Sequence, residues 1–249
     1  MNSKAALAIV IILILGAMLV YANDRLTFEH VELLGSAKFV ELQMELSLAE
    51  TTVKAGNNDT LIDFSGEYDE DYDEPTMEVD RNNEGSTYVL IESGESSFSL
   101  SDSDIDASEF TVKLSPVPEY AIRCDVGLGE NYLDLTGLKI QQLDLDAGLA
   151  ETELVLDKAN VLTAERVEID CGLGSIDSDH LGYLHFERMT VDAGMGDINL
   201  DLRGFEGEGT VDVSVGMGSC DIIVPKGVGV KVFSDGGFMS SIDLEDMRK

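Results

Sequence analysis

The chain has 249 residues, 44% of them hydrophobic, which is enough for one sizeable domain or two small ones. Its 49 acidic residues against 16 Lys and Arg leave a formal net charge of −33, which excludes nucleic-acid binding through a broad basic face and argues against electrostatic docking on anionic lipid. Three scattered Cys are too few for a disulfide-built scaffold, and the apolar fraction is too high for disorder throughout.

The first element is an uncharged apolar run, Ala5 to Ala22, which as a helix would span roughly 27 Å, close to a bilayer core. Lys4 precedes it and Asp24 and Arg25 follow, so the positive-inside bias predicts a cytoplasmic N-terminus with everything after the run outside. A cleaved signal peptide, with Val20 and Ala22 as small residues before a cut, is the competing reading. The length of the run favours a retained anchor over residues 1–25. No Cys lies near it, which argues against a lipoprotein anchor.

From about Val31 the pattern is strand-like, and a β domain is expected over residues 36–249. Its first part, 36–118, is less regular. Strand-like stretches at Leu61 to Phe64, Tyr88 to Ile91 and Phe110 to Leu114 are separated by polar loops, including the acidic run Glu67 to Glu74. Pro116 and Pro118 mark the entry to a regular array over 119–249.

That array is a repeat of Asp-small-Gly-apolar-small-polar followed by a strand. The central glycines are Gly127, Gly148, Gly172, Gly194, Gly216 and Gly237. Their spacings of 21, 24, 22, 22 and 21 residues are the mark of a stacked, solenoid-like β architecture of period about 22. Upstream, Leu46 to Thr51 echoes Ala147 to Thr152, so the repeat begins near residue 40. The residues on either side of each glycine, Val126 and Leu128, Ala147 and Leu149, Cys171 and Leu173, read as inward-facing, as do Ala193 and Met195 and Val215 and Met217. Leu133, Leu154, Leu200 and Ile222 continue one inward column, and Leu135, Leu156, Leu202 and Val224 the next. A second strand per copy is read at Leu138 to Ile140, Arg166 to Ile169, Phe186 to Val191 and Val228 to Val232. Turns are marked by Thr136-Gly137, Leu181-Gly182, Arg203-Gly204 and Pro225 to Gly227.

With these residues in place, the chain resembles the bacterial toast-rack family, similar to the C-terminal domain of the LiaF-like regulators of the cell-wall-active antibiotic response and to the adhesin group of stacked-β proteins. Val117-Pro118-Glu119-Tyr120 leading into Asp125 to Gly129 carries the resemblance, with Leu133 to Leu138, Leu143 to Gly148 and the Gly-Met-Gly copies. It covers roughly residues 36 to 245. The resemblance implies an all-β stack and a role in envelope sensing, adhesion or scaffolding, with no catalytic residues to carry over.

The most suggestive site is acidic. Two residues before the glycines stand Asp125, Asp146, Asp170, Asp192 and Asp235, with Ser214 at the fifth position. Stacked on successive rungs, these carboxylates would repel unless solvated or bridged by a cation, or each would cap its own turn. Turn capping is the expectation. Asp102, Asp104 and Asp106 fail as an EF-hand loop because Ala107 and Lys113 stand where Gly and Glu are needed. Cys124, Cys171 and Cys220 have no CxxC spacing, and Cys171 falls in a core column. His180 falls in an apolar column near a turn, and neither an HExxH nor a GxSxG pattern is present. The Gly-x-Gly pairs precede strands, so they are not nucleotide loops. No catalytic residue, metal set or cofactor is therefore expected. The function expected is a membrane-tethered, extracytoplasmic, non-enzymatic scaffold or adhesin-like module with an envelope protein as partner. The alternative is a cation-dependent carbohydrate-binding or polysaccharide-active β-solenoid, disfavoured by the absence of Trp.

Overall fold

Alternation of apolar and polar residues runs through stretches of 16 and 17 residues, too long for one flat sheet, and breaks only near their middle, which sets the architecture. The computed structural model describes residues 25–70, 73–93 and 107–233, and its 14 strands join into one all-β sheet. The expected anchor Ala5–Ala22, the Asp102 to Asp106 run and the last repeat around Gly237 lie outside these residues. Among the described residues no helix is long and apolar enough to cross a membrane.

Three long strands, β2 (Phe39–Ala55), β7 (Glu119–Asp134) and β8 (Lys139–Val155), lie side by side in parallel. Each bends at its middle; β7 pairs with β2 and β8 along both halves, whereas the front and rear halves of β2 and β8 join different strands on their other sides. The front halves continue into β9 (Arg166–Cys171), β11 (Arg188–Ala193) and β13 (Thr210–Val215). The rear halves continue into β10 (Ser175–Asp179), β12 (Asp197–Asp201) and β14 (Ser219–Ile223). Only Leu135 to Leu138 separates the rear end of β7 from the front end of β8, so the two halves of a rung fold back on each other. The core lies between them, with Leu145, Ile169 and Val191 buried on the front side and Leu154 and Leu200 on the rear.

Glycine makes the bend. A Cβ added to Gly129, which has φ +132°, would stand 1.9 Å from the Ala49 carbonyl oxygen, and one added to Gly174 would stand 2.0 Å from that of Ala150. Hydrogen bonding runs on through the corner: Leu173, Met195 and Met217 donate their backbone N–H to Gly148, Gly172 and Gly194 at 2.7 to 2.8 Å. On the return side the buried Asn160 amide donates to the Ile140 carbonyl at 2.7 Å and accepts from its N–H at 3.1 Å, standing in for a strand backbone.

The less regular part closes the stack. β5 (Ser86–Glu92) lies parallel to the front half of β2, with β4 (Thr76–Arg81) antiparallel outside it. β6 (Ser108–Leu114) lies parallel to the rear half, followed by β3 (Thr60–Asp69) and β1 (Arg25–Leu33) in antiparallel order. Phe28, Phe64 and Phe110 meet edge to face there, with centroids 4.7 to 5.6 Å apart. The sheet thus starts at Arg25, ahead of the residue 36 taken as its beginning, and β3 takes in Glu67 to Asp69 of the expected acidic loop.

The register bears out most columns. Leu46 to Thr51 aligns with Ala147 to Thr152 through β7, and Leu133 pairs with Leu154 and Leu200 with Ile222, but the inward columns hold only as far as Leu200 and Leu202: Ile222, Val224 and Val215 on the last described rung are exposed. Two further expectations are corrected. The residues after the glycines are not core: Leu149 and Leu173 are 51% and 49% exposed, and Met217 is 69% exposed. The corner slips the alternation by one residue, so Gly148 and Leu149 both face outward and the small Ala150 takes the inside position. Val228 to Val232 is not a strand. It is irregular and exposed, and makes no ladder with β13 among the described residues.

The close approach at the corner gives a direct test. Gly174→Ala must push two rungs apart and should cost about 2–3 kcal/mol, a fall in melting temperature of several degrees. Gly229→Ala, with nothing within 4 Å, should leave the melt unchanged within about 0.5 kcal/mol.

Candidate functional site

Parallel, in-register pairing turns a sequence repeat into rows of like side chains. The front row of carboxylates is continuous: Asp125 pairs with Asp146, Asp146 with Asp170 and Asp170 with Asp192, ending at Ser214. Four of the five residues picked out from sequence are thus brought together, and Asp235 lies outside the described residues. The row also extends upstream through Glu45 and Glu92, which repeat spacing did not reveal because β5 carries no glycine corner. Adjacent members sit about 4.8 Å apart at the backbone. Partial burial, then the carboxylates of Asp192 and Asp146, raise the Asp170 carboxyl above the usual range. Burial likewise raises Asp144 in the neighbouring row, with Arg123 opposing it. Arg123 donates to Asp125 at 3.2 Å.

A second acidic row runs along the rear sheet. Glu50, Glu130 and Glu151 project outward on adjacent strands, with Tyr132 and Glu153 beside them. An open depression of about 760 Å³ lies there, lined by these residues and Asp177 among others. Tyr132 is 39% exposed, and burial, then Asp134 and Glu153, raise its phenol. Such rows concentrate cations without organising a single reaction centre.

One tight polar cluster sits at the return side. Asp179, His180 and Asp201 bring a ligand atom each within 4.8 Å of one another. His180 leaves the apolar column expected of it: its φ is +56°, its ring stacks on Tyr183 at 5.4 Å, and Nδ1 lies 2.8 Å from Asp179. The buried Asp201 carboxylate is already committed. It accepts from Arg203 Nε at 2.8 Å, from the Arg203 backbone N–H at 2.9 Å, from a terminal guanidinium nitrogen, and from the His180 backbone N–H. These bonds, the Arg203 side chain first, hold its carboxyl down at about 2. The cluster is a clamp on the turn, of which the sequence signals only Arg203-Gly204 as turn residues. The three thiols are free. Cys124 and Cys171 are buried, Cys220 is half-buried, and burial pushes the Cys124 and Cys220 thiols up to about 12 and about 11.

Residues 22–179 match the family described as the N-terminal domain of toast_rack, DUF2154. Among curated proteins none matches the chain. Among solved structures it is similar to a "putative cell adhesion protein" from Clostridium sporogenes, at 13% identity and a TM-score of 0.59 over 81% of this chain and 100% of that one. A "putative adhesin" from Bacteroides fragilis matches at 13% identity and a TM-score of 0.36, over 81% of this chain and 98% of that one. Another from Parabacteroides merdae matches at 13% identity and 0.29, over 81% and 97%. The first shares the fold; the other two superpose too loosely to bear on it.

The two kinds of carboxylate respond oppositely to pH. Asp170 has a raised folded-state pKa, so the stability it contributes is present in acid and lost as pH rises through that value. Asp170→Asn should raise the melting temperature at pH 7 and flatten its rise between pH 7 and about pH 4. Asp201 has a depressed pKa, so its contribution holds above about pH 4 and is lost as pH falls through about 2. Arg203→Gln should lower the melting temperature at pH 7, with the difference from the parent shrinking toward pH 2. Calcium and sodium at matched ionic strength should raise the melting temperature equally if the front row is screened and not chelating. A gain specific to calcium, removed by Asp146→Asn with Asp170→Asn, would make it a metal ladder.

Proposed function

The chain belongs to the toast-rack family, and from that footing we propose that it is a non-enzymatic, adhesin-like binding module, displayed outside the cytoplasm and tethered through Ala5–Ala22. The observation that carries this reading is the repetition of the same outward chemistry at each rung, from Asp125 through Asp146 and Asp170 to Asp192. Catalysis needs one preorganised constellation of unlike groups, whereas an extended ladder of like groups suits contact along a length of partner. The Clostridium sporogenes protein of the same fold, described as a "putative cell adhesion protein", supports it further. The tether rests on the uncharged run of bilayer length with Lys4 on its inner flank.

A carbohydrate-binding role is the second reading, favoured by the exposed Tyr132 in the acidic rear depression. Two measurements separate these readings. The full-length chain should retain a protein from envelope extract and stay silent on a glycan array with calcium present; the reverse pattern would select the carbohydrate role. Alkaline phosphatase fused after Lys249 should be active, and an intact but inactive fusion would reverse the orientation.

A further inference from the structure

The slipped alternation at the corner leaves an apolar ridge on the outside of an otherwise acidic protein. Leu128, Leu149, Leu173, Met195 and Met217 follow one another on successive rungs. The last four are 51%, 49%, 49% and 69% exposed. At about 4.8 Å per rung the ridge is ~19 Å long. Both of its flanks are charged. Three residues before the first four apolar residues stand Asp125, Asp146, Asp170 and Asp192 of the front row, and Ser214 before Met217. Two residues after stand Glu130, Glu151 and Asp197 of the rear sheet, with Ser175 interrupting and Ser219 at the Met217 end. A contiguous apolar strip rimmed by charge marks an interaction surface, and its Met members adapt to a partner's shape.

We propose that this corner ridge docks a cationic amphipathic protein segment, one whose apolar stripe runs between two rows of Lys or Arg. Charge complementarity selects that occupant. A second copy set ridge to ridge would bring acidic rows against acidic rows, and anionic lipid would meet the same repulsion. The chain's own 16 Lys and Arg include only one adjacent pair, Arg248-Lys249, so no segment of it supplies two cationic rows. A helix of about 13 residues matches the ridge length. This inference names a partner class for the binding role proposed above and rests on it.

The test uses the full-length chain in nanodiscs of zwitterionic lipid, with empty nanodiscs subtracted. The probe is a Leu/Lys peptide of about 14 residues with one apolar face, labelled for fluorescence anisotropy at about 0.15 M salt. A scrambled peptide of the same composition should bind about tenfold more weakly or worse. The same loss is expected for Leu149→Ser/Leu173→Ser/Met195→Ser, whose half-exposed side chains can be changed with little effect on the melt, and for Asp146→Asn/Asp170→Asn/Asp192→Asn. Equal binding of the two peptides, or unchanged binding by either triple variant, would overturn the proposal, as would binding to vesicles of anionic lipid in place of the peptide. Retention of an envelope protein undiminished by the serine variant would remove the ridge while leaving the binding role. Selective peptide binding without envelope retention would keep the ridge and remove that role.

Discussion

Close backbone contact at the glycine corner is the constraint on which the rest depends. Rungs can stack in parallel through a bend only if successive backbones approach there without a side chain between them. Gly129 beneath Ala49 and Gly174 beneath Ala150 show how little room remains. Once the corner is fixed, register is fixed, because a slip of one residue would turn every inward side chain outward. Front and rear halves then face each other, and the core between them is filled from both sides.

Stacking like on like helps inside and hurts outside. Buried rows of Leu, Ile and Val gain from each added rung, since a single rung cannot cover its own apolar face. The same register piles carboxylates on carboxylates, which adds to the effect of partial burial in raising the Asp170 carboxyl. Scattered cations moderate it: Arg123 meets Asp125, Arg166 meets Glu168 at 2.8 Å, and Arg188 meets Asp212 at 3.1 Å. Charge on this scale keeps an open stack of strands from pairing with its neighbours, while the corner ridge is left as the apolar strip those charges frame.

Much of this was legible in residue order. The near-constant glycine spacing announced the stack, and the Asp before each corner announced the front row. What stayed hidden is what depends on the bend itself. Leu149 and its equivalents read as core because strict alternation places them inside, and only a corner that spends two consecutive outward residues reverses them. Glu45 and Glu92 joined the row through pairing between sequence-distant strands, which no period displays. The Asp201–Arg203 clamp hides where β12 enters its turn, where a pairing two residues apart looks like any other polar turn.

The register of the acidic row is the most direct measure of the account. In nuclear magnetic resonance spectra of the full-length chain, interstrand contacts between backbone protons should link residues 125, 146, 170 and 192 in a single line, as expected for parallel strands about 4.8 Å apart. Contacts displaced by one residue, pairing Asp170 with Ala147 or Ala193, would put the acids on the core side and contradict it.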